Sequence, residues 1–177
     1  MFSPFKTNKN LKITDDSGFL AIVNSETYKS FVDEDWEFTQ LMKHFVDEIN
    51  NKNIIFWSTG LQNEWIVSFV EKYSDKKAFR EFTSTIKVTR EKLYLTNYED
   101  LTMSAQFEDS KIPAEHNSEL IIKLENGLYN LSIRQLFNPE DYDYEAEEKV
   151  DFEIVMQKIE NENERQGEKI DKIYWWE

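Results

Sequence analysis

Apolar and polar positions along this chain alternate between two periods, and one stretch carries the densest apolar character. Two nearly continuous runs, Ile54-Ile55-Phe56-Trp57 and Trp65-Ile66-Val67-Ser68-Phe69-Val70, flank a polar turn of Ser58, Thr59, Gly60, Gln62, Asn63 and Glu64. β-branched and aromatic residues bounded by Gly and Asn read as a hairpin, and continuous apolar runs suit strands buried on both faces. The pattern places this hairpin in the middle of a sheet.

Before it, Gly18 to Val23 reads as a strand after the turn Asp15-Asp16-Ser17-Gly18, with Thr27 to Val32 as a second strand or its continuation. Met1 to Asn10 reads as a tail or an edge segment. From Glu34 to Asn50 the period becomes helical, with Phe38, Leu41, Met42, Phe45 and Ile49 on one stripe. Asp33, Glu34, Asp35 and Glu37 crowd the helix start, where carboxylates favour the dipole and accept orphan backbone N–H bonds. Its stripe is expected on the sheet that holds the hairpin.

After the hairpin, Asp75 to Phe82 predicts a short helix capped by Asp75. Thr83 to Thr89 and Lys92 to Thr96 predict strands separated by Arg90-Glu91, and Leu101 to Phe107 alternates with the period of a strand. Glu119 to Glu125 and Leu128 to Phe137 meet at Asn126-Gly127, whose residues tolerate the positive φ of a type I′ hairpin turn. Val150 to Ile159 alternates again. Glu160 to Asp171 is charged, a helical extension or a solvated tail. Ile170, Ile173, Tyr174, Trp175 and Trp176 then return to apolar character, and the Trp pair must dock on the domain itself or on a second subunit, as in a homodimer.

These elements define an α+β fold: one domain over residues 1–177, a mostly antiparallel sheet or sandwich of about eight strands with one main amphipathic helix packed on it. Residues 18–159 form its core region. The expected core includes Phe19, Ile22, Leu41, Phe45, Ile55, Trp57, Ile66, Val67, Leu131, Ile133 and Ile154.

Composition changes the picture in one respect. With 21 basic and 35 acidic residues the net charge is -14, a surface that repels nucleic-acid phosphates and anionic membranes and favours basic partners. There are no cysteines, which removes a disulfide framework and thiolate chemistry. Met1-Phe2-Ser3-Pro4-Phe5-Lys6 lacks a signal-peptide core, and no apolar run reaches the ~20 residues of a membrane span. The expectation is a soluble, cytoplasmic protein.

Catalytic motifs are not found. His44 and His116 stand in no metal-ligand spacing, and neither a GxSxG elbow nor a glycine-rich phosphate loop occurs. Asp141-Tyr142-Asp143-Tyr144-Glu145 matches the first half of a calcium loop, but Ala146 and Phe152 replace the Gly and Glu it requires. Pro139-Glu140-Asp141 with Glu147-Glu148-Lys149 only loosely matches a metal-dependent nuclease signature, its acids being too close together. The sequence therefore predicts no catalytic residue, no metal and no cofactor.

What stands out is the acidic stretch itself. Glu140 to Glu153 holds eight acids and one base, Lys149, with Tyr142 and Tyr144 interleaved. Glu140, Asp141, Tyr142, Asp143, Tyr144, Glu145, Glu147 and Glu148 form a candidate partner-binding surface that fits a basic cleft, with the tyrosines as anchors. A plain solvated loop between two strands is the competing reading.

The order of elements carries a resemblance. A first strand (Phe19 to Val23) leads to the helix start Asp35-Trp36, and an apolar hairpin follows. Ile86-Lys87-Val88-Thr89 comes next, with Leu93-Tyr94-Leu95 close behind, and then Leu124-Glu125-Asn126-Gly127-Leu128-Tyr129-Asn130-Leu131. This succession over Gly18 to Phe137 resembles the bacterial competence-nuclease inhibitor family, small acidic proteins that bind and silence a DNA-entry nuclease. The family's pattern includes a V-T…I-x-L step, to which Val88-Thr89 with Leu93-Tyr94-Leu95 is similar, and a G-x-Y-x-L strand, which Gly127 to Leu131 fits. The chain departs from the family in its longer helix, its acidic loop and everything after Phe137. The resemblance implies an inhibitor-like fold and a non-enzymatic inhibitor or immunity protein against a basic toxin or nuclease. Two other classes remain open on the residues alone: a small-molecule binder or enzyme with an aromatic pocket near Trp57 and Trp65, and a homo-oligomer subunit joined through Trp175 and Trp176.

Overall fold

A computed structural model describes residues 8–161 and 163–177. Nine strands and two α-helices occur among the described residues, arranged in three layers. The first layer is a sheet ordered β1 (Lys9–Asp15), β4 (Asn63–Val70), β9 (Phe152–Lys158), β8 (Gly127–Gln135), β5 (Arg80–Val88). The second is ordered β3 (Ile54–Ser58), β2 (Phe19–Val23), β6 (Lys92–Asn97), β7 (Ile121–Lys123). The third holds α1 (Phe38–Asn50) and α2 (Tyr98–Gln106) against the second sheet. All ladders are antiparallel except β4 with β9.

The middle layer explains the continuous apolar runs. Leu20, Ile22, Ile55 and Trp57 enter the core between the sheets. Their neighbours Ala21, Val23, Ile54 and Phe56 face the helices, where Phe45 stacks on Phe56 at 4.3 Å between ring centroids. A strand covered on both faces has no use for polar alternation. Of the predicted helical stripe, Leu41, Met42, Phe45 and Ile49 are buried on this sheet, whereas Phe38, the first residue of α1, is 44% exposed and meets Trp176. Glu37 caps α1 through a reciprocal box with Gln40. The expected core residues are buried except Phe19 and Ile66, which are half-buried.

Strand pairing departs from the sequence reading. β3 and β4 do not pair; the turn between them carries the chain from one sheet to the other. β5 and β6 divide in the same way at Arg90-Glu91, and β7 and β8 at Asn126-Gly127. The turn chemistry departs as well. Positive φ falls on both Arg90 (54°) and Glu91 (58°), neither of which is Gly or Asn. At Asn126-Gly127 only Gly127 (145°) is positive, so that turn is not the type I′ its sequence predicts. A tight turn reverses the chain, but whether its arms hydrogen-bond or face each other across a core depends on where their apolar faces are needed. Here each arm contributes to a different sheet. Glu91 N donates to Asn126 Oδ1 at 2.7 Å, so two of these crossovers also fasten to each other.

Four further segments differ. Of the two readings of residues 1–10, the edge segment holds for Lys9 and Asn10, and the edge strand runs on to Asp15, into the stretch read as a turn; residues 1–7 lie outside the described residues. Thr27 to Val32 is not a strand. Asp75 to Phe82 is not helical; it runs over the outer face of the five-stranded sheet into β5. Leu101 to Phe107 belongs mostly to α2, whose buried Leu101, Ser104 and Ala105 recur at helical spacing behind an Asn97 cap that accepts from Asp100 N. Small and polar buried residues hid that period.

The C-terminal segment docks on the chain's own sheets. Ser58 N donates to Tyr174 O at 3.1 Å, and Tyr174 stacks on Phe82 at 3.7 Å. Arg80 lies 4.4 Å over the Trp175 ring, and Trp176 meets Phe38 edge-on at 5.5 Å.

Asp15, 1% exposed, accepts from the backbone N–H groups of Ser17, Gly18 and Phe19, from Thr59 Oγ1 at 2.7 Å and from Trp65 Nε1 at 2.8 Å. Asp15→Ala strands the three backbone donors and the Trp65 indole, the Thr59 hydroxyl keeping Leu61 O at 2.8 Å, and is expected to cost ~3–5 kcal/mol, since each buried donor left unpaired costs ~1–3 kcal/mol. Urea unfolding measures this, and a loss below ~1 kcal/mol would show that the cage is dispensable.

Candidate functional site: the acidic loop

The connection from β8 to β9 is built from its aromatic base outward. Asn138 Oδ1 accepts from Glu140 N at 3.0 Å and starts a single 3₁₀ turn, Pro139–Asp141. Pro139 sits over Gly60, where a Cβ would come within 2.6 Å of the proline ring; with φ at 91°, this position suits only glycine. The chain then turns inward. Tyr142 packs edge-on against Trp65 at 5.4 Å and Phe137 at 5.1 Å, and its hydroxyl approaches Asp151 Oδ1 at 3.4 Å. Tyr144 leans on Tyr142 at 4.9 Å but is 65% exposed.

Thus the two interleaved tyrosines separate into a half-buried base and an exposed ring. Asp143 Oδ1 accepts from Glu145 N at 2.9 Å, which holds the turn beneath Tyr144. Glu148 pairs with Lys12 at 2.6 Å, and Lys12 also reaches Glu64 at 3.3 Å, tying the loop to the β1–β4 edge. A cleft of about 180 Å³ lies between loop and edge. The carboxylates of Glu140, Asp141, Asp143, Glu145 and Glu147 are exposed. None of these five forms an ion pair among the described residues.

The local field is negative enough to act on its own members. Hydrogen bonds to Glu148 and Glu64 raise the Lys12 ammonium above its usual value. Burial raises the Asp151 carboxyl, against the Ile66 N–H that it accepts at 2.9 Å. Burial, and next the charge of Asp151, raises the Tyr142 hydroxyl.

The eight candidate residues are therefore contiguous, with unequal parts: Tyr142 and Glu148 hold the loop in place, and the other six face solvent. Asp151 and Glu153, which end the acidic run in the sequence, are buried, the latter against Arg134. Lys12 and Glu64 join the surface from strands far away in sequence, and no local signal announces them. Trp57 and Trp65 are wholly buried in a filled core, so the aromatic pocket envisaged there is closed. The larger clefts lie along the C-terminal segment: about 450 Å³ beside Thr83, Asn130 and Tyr174, and about 280 Å³ between α1 and Trp176. Among the described residues, no helix is long and apolar enough to cross a membrane.

The architecture belongs to the α+β class, two facing sheets with helices on one outer side. No family model and no curated protein matches the chain. Among solved structures, it is similar to the protein of crocagin biosynthetic gene J, with a TM-score of 0.55 and 9% identity over 85% of this chain and 97% of that one. It is also similar to ComJ of Bacillus subtilis, inhibitor of the DNA-degrading activity of NucA, with a TM-score of 0.50 and 12% identity over 85% of this chain and 96% of ComJ. At these identities the likeness is one of fold, and it bears out at that level the resemblance to the competence-nuclease inhibitors.

Two outcomes follow from this geometry. Tyr142→Ala removes a ring from the Trp65–Phe137 stack and is expected to cost ~2–3 kcal/mol in urea unfolding, whereas Tyr144→Ala should cost under ~1 kcal/mol. Equal losses would contradict the inward and outward assignment.

The second concerns pH. Because the Asp151 carboxyl is raised above its ordinary 3.8, the folded protein takes up a proton at higher pH than the unfolded chain does. Its charged form weakens the fold at neutral pH, and that penalty lifts as the pH falls through the raised value. Asp151→Asn, which carries no such charge, should gain on wild type most at about pH 7 and least near pH 4. Urea midpoints of the two proteins across this range provide the comparison, and a pH-independent difference would rule the idea out.

Proposed function

We propose that this is a non-catalytic acidic binding protein, an inhibitor or immunity-type protein that neutralises a basic toxin or nuclease in the cytoplasm. The acidic loop is its binding surface. The observation that carries this reading is one exposed ring, Tyr144, set among five unpaired carboxylates on a loop anchored by Tyr142 and Glu148. An anchored loop loses little freedom on binding, so its surface is ordered in advance. The fold likeness to ComJ supports an inhibitor over an enzyme. The docking of Trp175 and Trp176 on the chain's own residues favours a partner of another kind over a homodimer.

Charge and aromatic contact then have separate roles. Unpaired carboxylates speed encounter with a basic surface, and a buried ring sets how long the complex lasts. Changing Asp141, Asp143, Glu145 and Glu147 to Lys should slow association at low salt by about tenfold or more and flatten its salt dependence. Tyr144→Ala should chiefly speed dissociation. Stopped-flow binding at two ionic strengths, against a purified basic toxin or nuclease encoded beside this chain, reads both rates. If the Lys variant associates as fast as wild type at low salt, the loop is ordinary solvated surface.

A further inference from the structure

A second surface lies on the helical layer, on the far side of the four-stranded sheet from the acidic loop. The N–H groups of Val32 and Asp33 both donate to Ala105 O, at 2.8 and 3.1 Å, which lays residues 31–33 along the last turn of α2. That contact sets Phe31 at the end of α2, to which Met103 belongs; Phe107, the C-cap, has left the helix for an extended backbone (φ -119°, ψ 119°) and donates its N–H to Met103 O at 3.0 Å. All three side chains are exposed: Phe31 by 37%, Met103 by 53% and Phe107 by 41%. Large apolar side chains scattered singly over a surface are ordinary, but three gathered at one junction are not.

Their rim is acidic. Asp33, Glu34, Asp35 and Glu37 lead into α1, and Glu108 and Asp109 follow Phe107; all six are exposed. None of the six forms an ion pair among the described residues. Asp33 Oδ1 accepts from Asp35 N at 2.9 Å, which fixes part of the rim. The composition is that of an interface: an apolar centre holding a flexible methionine, with six exposed carboxylates in the adjoining segments against the two exposed ammonium groups of Lys29 and Lys111.

We infer that this junction docks a basic protein segment that presents an apolar face, its apolar side chains covering Phe31, Met103 and Phe107 while its Lys or Arg residues meet the six carboxylates. Charge selects this occupant. A second copy of the chain would bring another -14, and a nucleic acid or an anionic membrane would likewise add negative charge to an acidic rim. The inference stands apart from the acidic-loop reading, since the two surfaces share no residue.

The test uses the full chain and a synthetic amphipathic peptide of Leu and Lys, about 15 residues long so that it can form a helix, with a scrambled peptide of equal composition as its control. The chain has four methionines, and ¹³C-methyl labelling gives each a resonance. The amphipathic peptide is expected to shift the Met103 methyl and leave those of the buried Met42 and Met156 in place. Replacing Met103 and Phe107 together by Ser should weaken binding at least about tenfold, with Tyr144→Ala leaving it unchanged. Circular dichroism checks that the variants are folded, and the methyl shift in the unaltered chain decides the matter if one is not. An unmoved Met103 methyl overturns the inference. So does equal binding of the scrambled peptide, or an equal loss in the Tyr144 variant, which would place the peptide on the acidic loop.

Discussion

A single carboxylate, that of Asp15, holds together the end of the molecule on which the acidic loop is mounted. It is sealed from water, a position tolerable for a charge only when donors replace its hydration. Five do, and they come from the start of β2, the end of β3 and the indole of β4, and hence from both sheets. The same indole, Trp65, is the floor on which Phe137 and Tyr142 pack. Hydrogen bonding inside the core thereby orients a ring whose other contacts set the exposed loop. The chain of support runs from Asp15 to Trp65, to Tyr142, to Tyr144.

Some of this was legible in the amino-acid pattern. Helix α1 was, because Leu41, Met42, Phe45 and Ile49 repeat at helical spacing, although the helix begins only at Phe38 and, of the acids read at its start, Glu37 alone is its N-cap. The existence of most strands was legible for the same reason, being a matter of local alternation. Their partners were not. Asn126-Gly127 specifies a reversal, and the sequence around it holds nothing to distinguish two arms that bond to each other from two arms that face each other across a core. α2 was missed because its buried side includes Ser104 and Ala105, which add little apolar contrast.

The acidic loop was legible in composition and not in geometry. Tyr142 and Tyr144 are equivalent as residue types. Only the presence of Trp65 and Phe137 beneath the loop makes one a support and leaves the other in solvent. The Lys12–Glu148 pair spans more than a hundred residues, which no reading of neighbours finds. At the other surface, Phe107 looked like the end of a strand. It is instead the extended C-cap of α2, and it is exposed.

The position of β9 has a bearing on how the chain assembles during synthesis. It lies in the middle of the five-stranded sheet, between β4 and β8, yet among the described strands it is made last. Until Phe152–Lys158 leaves the ribosome, β4 and β8 each have one edge without its final partner, and those edges belong to apolar strands. Open strand edges of this kind template association between chains. The 28 acids against 17 bases of residues 1–151, densest in the loop just before β9, work against that encounter by mutual repulsion of nascent chains. Charge of one sign thus protects a sheet whose central strand arrives late.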